Sequence, residues 1–249
     1  MKIAIIGAGN VGTPLAKAFT AAGHDVTLAN SRDPETIREL AESFGAASAW
    51  AADALQGVDV IITSVPPAAL EQIRPLLADV PADVPVIDTG NYHPARDGQI
   101  GAIEDGQIEA VWTAQQLGRP VAKAWNAVLA QTLEERGVPV GTPGRIALPI
   151  AGDDPEARKL AAALTEVSGF DALDIGGLEN TWRAQPGTGA YCTELPAEDL
   201  RIAVERADRD HAPARRDVCW QAFATFGDQL TRENIVRFHR AVTLTPDPA

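Results

Sequence analysis

The chain has 249 residues, 45% of them hydrophobic, and a formal charge of −13 from 34 acidic against 21 basic side chains. That length suits one large domain, or one domain with a small appendage. The acidic balance is spread along the chain rather than gathered in a tail, and it argues against nucleic-acid partners and anionic membrane surfaces.

Residues Lys2 to Ile6 read as a short apolar strand that runs straight into Gly7-Ala8-Gly9-Asn10-Val11-Gly12. A Gly-x-Gly-x-x-Gly segment between a strand and a helix suits a bound dinucleotide. The first glycine permits a tight turn, the second lets backbone approach a pyrophosphate, and the third lets the helix pack closely. Free N–H groups and the helix dipole favour a phosphate there. The following residues supply the context that a lone motif lacks: Leu15, Ala16, Phe19, Thr20 and Ala22 recur at helical spacing, Gly23 stops the helix, and 25–29 reads as a second strand.

In NAD-selective folds an acidic residue about 20 residues further on binds the ribose 2′-hydroxyl. Here that position falls at Asn30, followed by Ser31 and Arg32. No carboxylate repels a 2′-phosphate, Ser31 offers a hydroxyl, and Arg32 offers a planar fork for phosphate oxygens. The expected cofactor is therefore NADP(H), held by Gly7, Gly9, Asn10, Val11, Gly12, Asn30, Ser31 and Arg32. The same stretch also reads as a turn in which Ser31 or Asp33 caps the helix that Pro34 begins, and the two roles use different atoms.

The alternation continues with a helix over 34–44, a strand over 46–49, a brief helix over 53–56, a strand over 58–65 ended by Pro66-Pro67, a helix over 68–78 and a strand over 84–88. Strands alternating with helices imply a parallel, doubly wound α/β sheet. Ligands bind outside the carboxyl ends of such strands. Ser64, Val65 and Pro66 are thus expected on the ribose or pyrophosphate side, and Asn91 near the nicotinamide. Residues 92–106, rich in Pro, Gly and Asp, read as a long loop over the site. A helix over 108–117, a strand over 120–126, a helix over 128–136, a strand over 145–151, a helix over 155–167 capped by Asp153 or Asp154, and a strand over 172–175 complete the pattern. Beyond Leu178 it changes to helices over 197–207, 215–227 and 233–242, with a turn-rich stretch over 185–191 and a frayed tail at 246–249. The expected organisation is a mainly parallel Rossmann domain over 1–177 and a small C-terminal helical subdomain over 178–249 that completes a substrate pocket or a homodimer interface.

Candidate proton donors are few. Lys123 lies near the ligand edge and is either catalytic or a charged strand residue that faces solvent or forms an ion pair. His93, beside Pro94, is either catalytic or a solvated loop histidine. His24 reads as structural, and His211 and His239 as solvent-facing. Tyr92 and Tyr191 read equally as donors or loop anchors. Trp125 either stacks on a flat ring or fills the core, and Asn126 is placed to meet nicotinamide or substrate. No metal-ligand spacing and no covalent-nucleophile pattern is present. Cys192 and Cys219 read as free thiols of a reducing compartment. No apolar run approaches the roughly 20 residues needed to cross a bilayer, and the apolar start is too short for a signal peptide, so a cytoplasmic protein is expected.

Four segments resemble the F-420-dependent NADP oxidoreductase family: Ile5 to Gly12; Asn30-Ser31-Arg32; Lys123-Ala124-Trp125-Asn126; and Ala151-Gly152-Asp153-Asp154 leading to Asp174-Ile175-Gly176-Gly177-Leu178-Glu179. The segments 92–106 and 182–194 depart from the family pattern. The resemblance implies hydride transfer between NADP(H) and a deazaflavin (F-420) or flavin-like co-substrate. The weakness of every acid candidate also favours transfer between cofactors, which needs two stacked rings rather than a strong protein acid. The alternatives are an NADPH-dependent reductase of a small carbonyl or imine, of the β-hydroxyacid dehydrogenase type, and a non-catalytic NADP(H) sensor.

Overall fold

The computed structural model describes residues 1–244, so the tail at 246–249 lies outside the described residues. Eight strands form one sheet: β1 (Lys2–Ile6), β2 (Asp25–Ala29), β3 (Ala47–Ser48), β4 (Val60–Thr63), β5 (Val86–Asp88), β6 (Ala122–Lys123), β7 (Ala147–Gly152) and β8 (Asp171–Asp174). Their order is β3-β2-β1-β4-β5-β6-β7-β8. Chain direction across the sheet reverses between β1 and β4, which opens a crevice at their carboxyl ends. All neighbours pair in parallel except β6 and β7, which run antiparallel with Ala122 opposite Gly152 and Lys123 opposite Ala151. The fold is thus the expected α/β, mainly parallel sheet.

Alternation along β1 explains the two layers. Ile3 and Ile5 face a core built with α1 (Gly12–Ala21), which contributes Leu15 and Phe19. Ala4 and Ile6 face the opposite core, with Leu70 and Leu77. A strand places successive side chains on opposite faces, and a central parallel strand is covered on both. The α2 helix (Glu35–Glu42) and the short α3 (Ala51–Ala54) complete the first half of the sheet.

The expected helix over 68–78 is broken into a 3-10 turn (Pro67–Ala69), α4 (Leu70–Ile73) and a second 3-10 turn (Arg74–Leu77). Pro75 lacks the N–H that a continuous helix needs there. The segment 92–106 is not a structureless loop. It carries α5 (Pro94–Asp97), opened by Pro94 and closed by Gly98 at φ 74, and α6 (Gly101–Glu104). The α7 helix (Glu109–Leu117) returns the chain to the sheet. Strand β6 is only two residues long, because Trp125 adopts φ 56 and turns the chain out of the extended form.

The α8 helix (Ala130–Glu135) and α9 (Pro155–Val167) follow. The Asp154 carboxylate caps α9 by accepting from the Glu156 N–H at 3.0 Å, whereas Asp153 accepts from the Leu178 N–H at 2.9 Å. A 3-10 segment (Leu178–Ala184) then leads to α10 (Ala197–Glu205), α11 (Ala212–Phe223) and α12 (Arg232–Thr243). Arg232 pairs with Glu194 at 2.6 Å, and Arg240 donates to the carbonyls of Thr193 and Glu194, which ties α12 to the preceding loop. His239 does not face solvent. It is 4% exposed, wedged between the rings of Tyr191 and Phe223. Among the described residues no helix is long and apolar enough to cross a membrane.

Candidate functional site

The glycine turn sits at the crevice. The Gly7 N–H donates to the Ala29 carbonyl at 2.7 Å, and the Ser64 N–H donates to the Ile6 carbonyl at 2.8 Å, so the turn is pinned between the ends of β2 and β4. Gly7 has φ 121, and a Cβ on it would lie 2.1 Å from the Ser64 carbonyl oxygen. A Cβ on Gly12 would lie 1.9 Å from the Gly7 carbonyl oxygen. Gly9 differs, since a Cβ there would meet nothing within 4 Å. Among the described residues, the N–H groups of Ala8, Gly9, Asn10 and Val11 reach no acceptor. Unpartnered N–H groups around an open glycine at a helix start form a cradle for an anion, so the residues present fit a dinucleotide pyrophosphate.

At the end of β2, Asn30 organises its own turn. Its Oδ1 accepts from the Arg32 N–H at 2.9 Å, and its Nδ2 donates to Thr36 Oγ1 at 3.0 Å. Asp33, not Ser31, meets the start of α2 by accepting from the Glu35 N–H at 3.0 Å. Ser31 and Arg32 are exposed, and among the described residues their side chains make no hydrogen bond or ion pair. The cap and the prospective phosphate pocket therefore use different residues.

The carboxyl ends of β4, β5 and β6 carry a buried polar network. Thr63 Oγ1 donates to Asp88 Oδ1 at 2.8 Å, and Lys123 Nζ donates to Asp88 Oδ2 and to the Gly90 carbonyl. Lys123 is thus ion-paired and does not face solvent, being 4% exposed. Asn91 Nδ2 donates to the Asn126 carbonyl at 2.6 Å, and Asn126 Nδ2 donates to Asn91 Oδ1 at 3.2 Å and to the Ala184 carbonyl at 3.1 Å. Asn126 therefore joins the β5 edge to the C-terminal segment. Val65 is half-buried beside this edge and Pro66 is exposed at its rim. Trp125 is closed into the core: its Nε1 donates to Ser168 Oγ at 3.0 Å and its ring meets Phe19 edge-on at 5.9 Å. It has no free face for a ligand.

Glu109, the first residue of α7, is the acid that sequence reasoning missed. It is 8% exposed, and its Oε2 accepts from the Tyr92 N–H at 2.9 Å. Burial pushes its carboxyl up to about 7, against the pull of that N–H and of the Lys123 and Arg216 charges. An acid in a first helical turn reads as a favourable dipole partner, and only the folding of 92–106 over it shows that it is enclosed. Tyr92 holds that cover down: its hydroxyl donates to Glu104 at 2.6 Å and accepts from the Ile100 N–H at 3.3 Å. His93 packs edge-on against Trp220 at 4.7 Å, and burial and Arg96 push it down to about 4, so it is neutral at pH 7.

A cleft of about 300 Å³ opens beside Glu109, between Glu104 to Ile108 on one wall and Trp182, Arg209 and Arg216 on the other. Arg209 bridges the walls by donating to the Gly106 carbonyl at 2.9 Å, and its guanidinium lies 5.8 Å from the centre of the Trp182 ring. The cleft thus offers an aromatic ring, over which Arg183 also lies at 4.4 Å, and both signs of charge, Arg209 and Arg216 with Glu104, Glu109 and Asp210, next to the edge expected at Asn91.

Residues 2–92 match the family described as NADP oxidoreductase coenzyme F420-dependent. The protein YjhV of Escherichia coli (strain K12) is 30% identical over 110 residues, which is 44% of this chain and 80% of YjhV. The crystal structure of hypothetical protein SMa0349 from Sinorhizobium meliloti superposes with a TM-score of 0.66 at 29% identity, over 77% of this chain and 93% of that one. A candidate F420-dependent NADP-reductase from Arthrobacter sp. FB24 superposes with a TM-score of 0.63 over 91% of this chain and 95% of its own, at 19% identity, which is a likeness of fold. The matched stretch contains the glycine cradle, the Asn30 turn and the β4 and β5 edge, and the chain belongs to the coenzyme F420-dependent family of NADP oxidoreductases.

Proposed function

We propose that the chain transfers hydride between NADPH and a deazaflavin or flavin-like acceptor. The observation that carries the reading is the open cradle around Gly9, whose N–H groups, like the Ser31 and Arg32 side chains one strand away, have no partner among the described residues. The backbone of Gly7, Gly9, Asn10, Val11 and Gly12 would hold the pyrophosphate, and Ser31 and Arg32 the 2′-phosphate. Ser64, Val65, Pro66 and Asn91 would lie along the ribose and nicotinamide. When bound, the reduced nicotinamide supplies the hydride. The chain's work is to orient two rings and exclude water, and the segment over 92–106 is placed to do the latter.

The cleft beside Glu109 is consistent with a flat, polar acceptor, because Trp182 and the Arg209 guanidinium line it together with Glu104 and Asp210. A second reading draws on Glu109. Reducing a small carbonyl or imine needs a proton where charge develops, and a carboxyl held near 7 beside the edge can provide one. A sensor would instead bind NADPH without consuming it.

Following NADPH oxidation against F-420, FMN, FAD, ferric chelates and small carbonyls separates these readings. Turnover with F-420 or a flavin is the expected result; robust carbonyl turnover without either would sink the lead. We further propose a cytoplasmic homodimer formed through 178–249, checked by light scattering of the purified chain.

A further inference from the structure

We infer that Glu109 is the group that gives the acceptor its proton. The inference rests on the hydride-transfer reading above. Glu109 stands where a small pocket under the β4, β5 and β6 edge meets the open cleft: Tyr92, Ile103 and Glu109 line both. The small pocket also touches Val65, Gly90 and Asn91, the edge proposed for nicotinamide. A group at this junction faces the nucleotide on one side and the acceptor on the other.

The other acids and cations of the edge are already engaged. Asp88 accepts from Thr63, Lys123 and the Gly90 N–H. Lys123 is held by Asp88 and the Gly90 carbonyl, and the Tyr92 hydroxyl donates to Glu104. Glu109 differs. One oxygen is anchored by the Tyr92 N–H, and among the described residues Oε1 makes no hydrogen bond. The carboxyl is thus oriented at one end and unengaged at the other. The groups facing it are Lys123 from β6, Asp88 from β5, Arg216 from α11, the Tyr92 N–H and the buried Tyr191 phenol, which burial keeps neutral, and burial of Glu109 outweighs their net pull, which leaves the proton exchangeable near pH 7.

The balance is simple. The acceptor takes two electrons and one hydrogen as hydride from NADPH, and one proton from Glu109. The products are NADP+, the reduced acceptor and the Glu109 carboxylate, which regains a proton from water in the cleft. In the reverse direction the carboxylate accepts the proton.

The test compares wild type with Glu109→Gln, which keeps the acceptor for the Tyr92 N–H, and with Glu109→Asp. Wild-type kcat for acceptor reduction should fall as pH rises through about 7. Glu109→Gln should lower kcat about 100-fold and flatten that limb, with the NADPH KM changed less than about threefold. Glu109→Asp should restore part of the limb. A Gln variant with full kcat and an unchanged limb overturns the inference. Calorimetry in buffers of different ionisation heat gives a readout that needs no acceptor: the positive nicotinamide of NADP+ should expel more protons from wild type than from Glu109→Gln at pH 7, over the small release both share as the 2′-phosphate meets Arg32. Equal proton release from both proteins also overturns it. If wild type reduces no acceptor of the panel, the hydride-transfer reading fails by itself, and the proton count still judges Glu109.

Discussion

The carbonyl oxygen of Ser64 occupies the space that a side chain on Gly7 would need, 2.1 Å from the position of its Cβ. The two glycines of the turn therefore serve different ends. Gly7, at φ 121, is required by the fold, whereas a Cβ on Gly9 would border open space, so the fold itself makes no demand for glycine there. Gly7→Ala combines a disfavoured backbone with a clash against main chain and should cost about 3 kcal/mol or more in urea unfolding. Gly9→Ala should leave stability within about 0.5 kcal/mol and weaken NADPH binding, read by fluorescence titration, at least about tenfold. Unchanged NADPH affinity in Gly9→Ala would remove the cradle from the cofactor site.

Arg32 is exposed, and among the described residues its side chain has no partner, so its removal tests recognition without disturbing packing. A charge-assisted contact to a 2′-phosphate is worth about 1.5–3 kcal/mol. Arg32→Ala should therefore raise the NADPH KM about tenfold or more and leave the NADH KM nearly as it was. Equal changes for both nucleotides would end the assignment of Arg32 to the phosphate.

What could be read from the sequence is what depends on neighbours in the chain. β1, the glycine turn, the Asn30-Ser31-Arg32 end of β2 and the Asp154 cap are local patterns, and each lies where expected. The antiparallel pairing of β6 with β7 was not legible, because strand direction depends on where the chain returns. Trp125 and His239 show the same limit for side chains. A positive φ at Trp125 and the aromatic walls around His239 decide their burial, and both come from partners far away in sequence. Glu109 was hidden for that reason too: its enclosure depends on Tyr92, Glu104 and the two short helices that a Pro- and Gly-rich composition presented as a loop.

Cys192 and Cys219 are buried free thiols. Burial pushes Cys219 up to about 11 and Cys192 further still. The thiolate is the reactive form, so the native chain should resist a thiol-specific chromogenic reagent at pH 8, and both cysteines should react at once in denaturant. Rapid native labelling of either would show that the C-terminal segment opens easily.

His239 sets an acid limit on stability. Its ring is enclosed, among the described residues Nδ1 has no partner, and burial holds it down to about 4. An unfolded histidine takes its proton near 6.5. Between those values the unfolded chain binds the extra proton, so this contribution to stability is intact above about pH 6.5 and is lost as pH falls toward 4. From pH 7 to pH 5 the loss is about 2 kcal/mol. His93, pushed down to about 4 as well, acts in the same direction, whereas Glu109, pushed up to about 7, acts in the opposite one. The wild-type profile mixes these terms, and comparison with a variant isolates one. His239→Phe keeps an aromatic ring between Tyr191 and Phe223 and removes the unpaired nitrogen. In urea unfolding it should lose about 2 kcal/mol less than wild type between pH 7 and pH 5. Parallel profiles for the two proteins would mean that His239 takes up its proton in the folded state as readily as in the unfolded one.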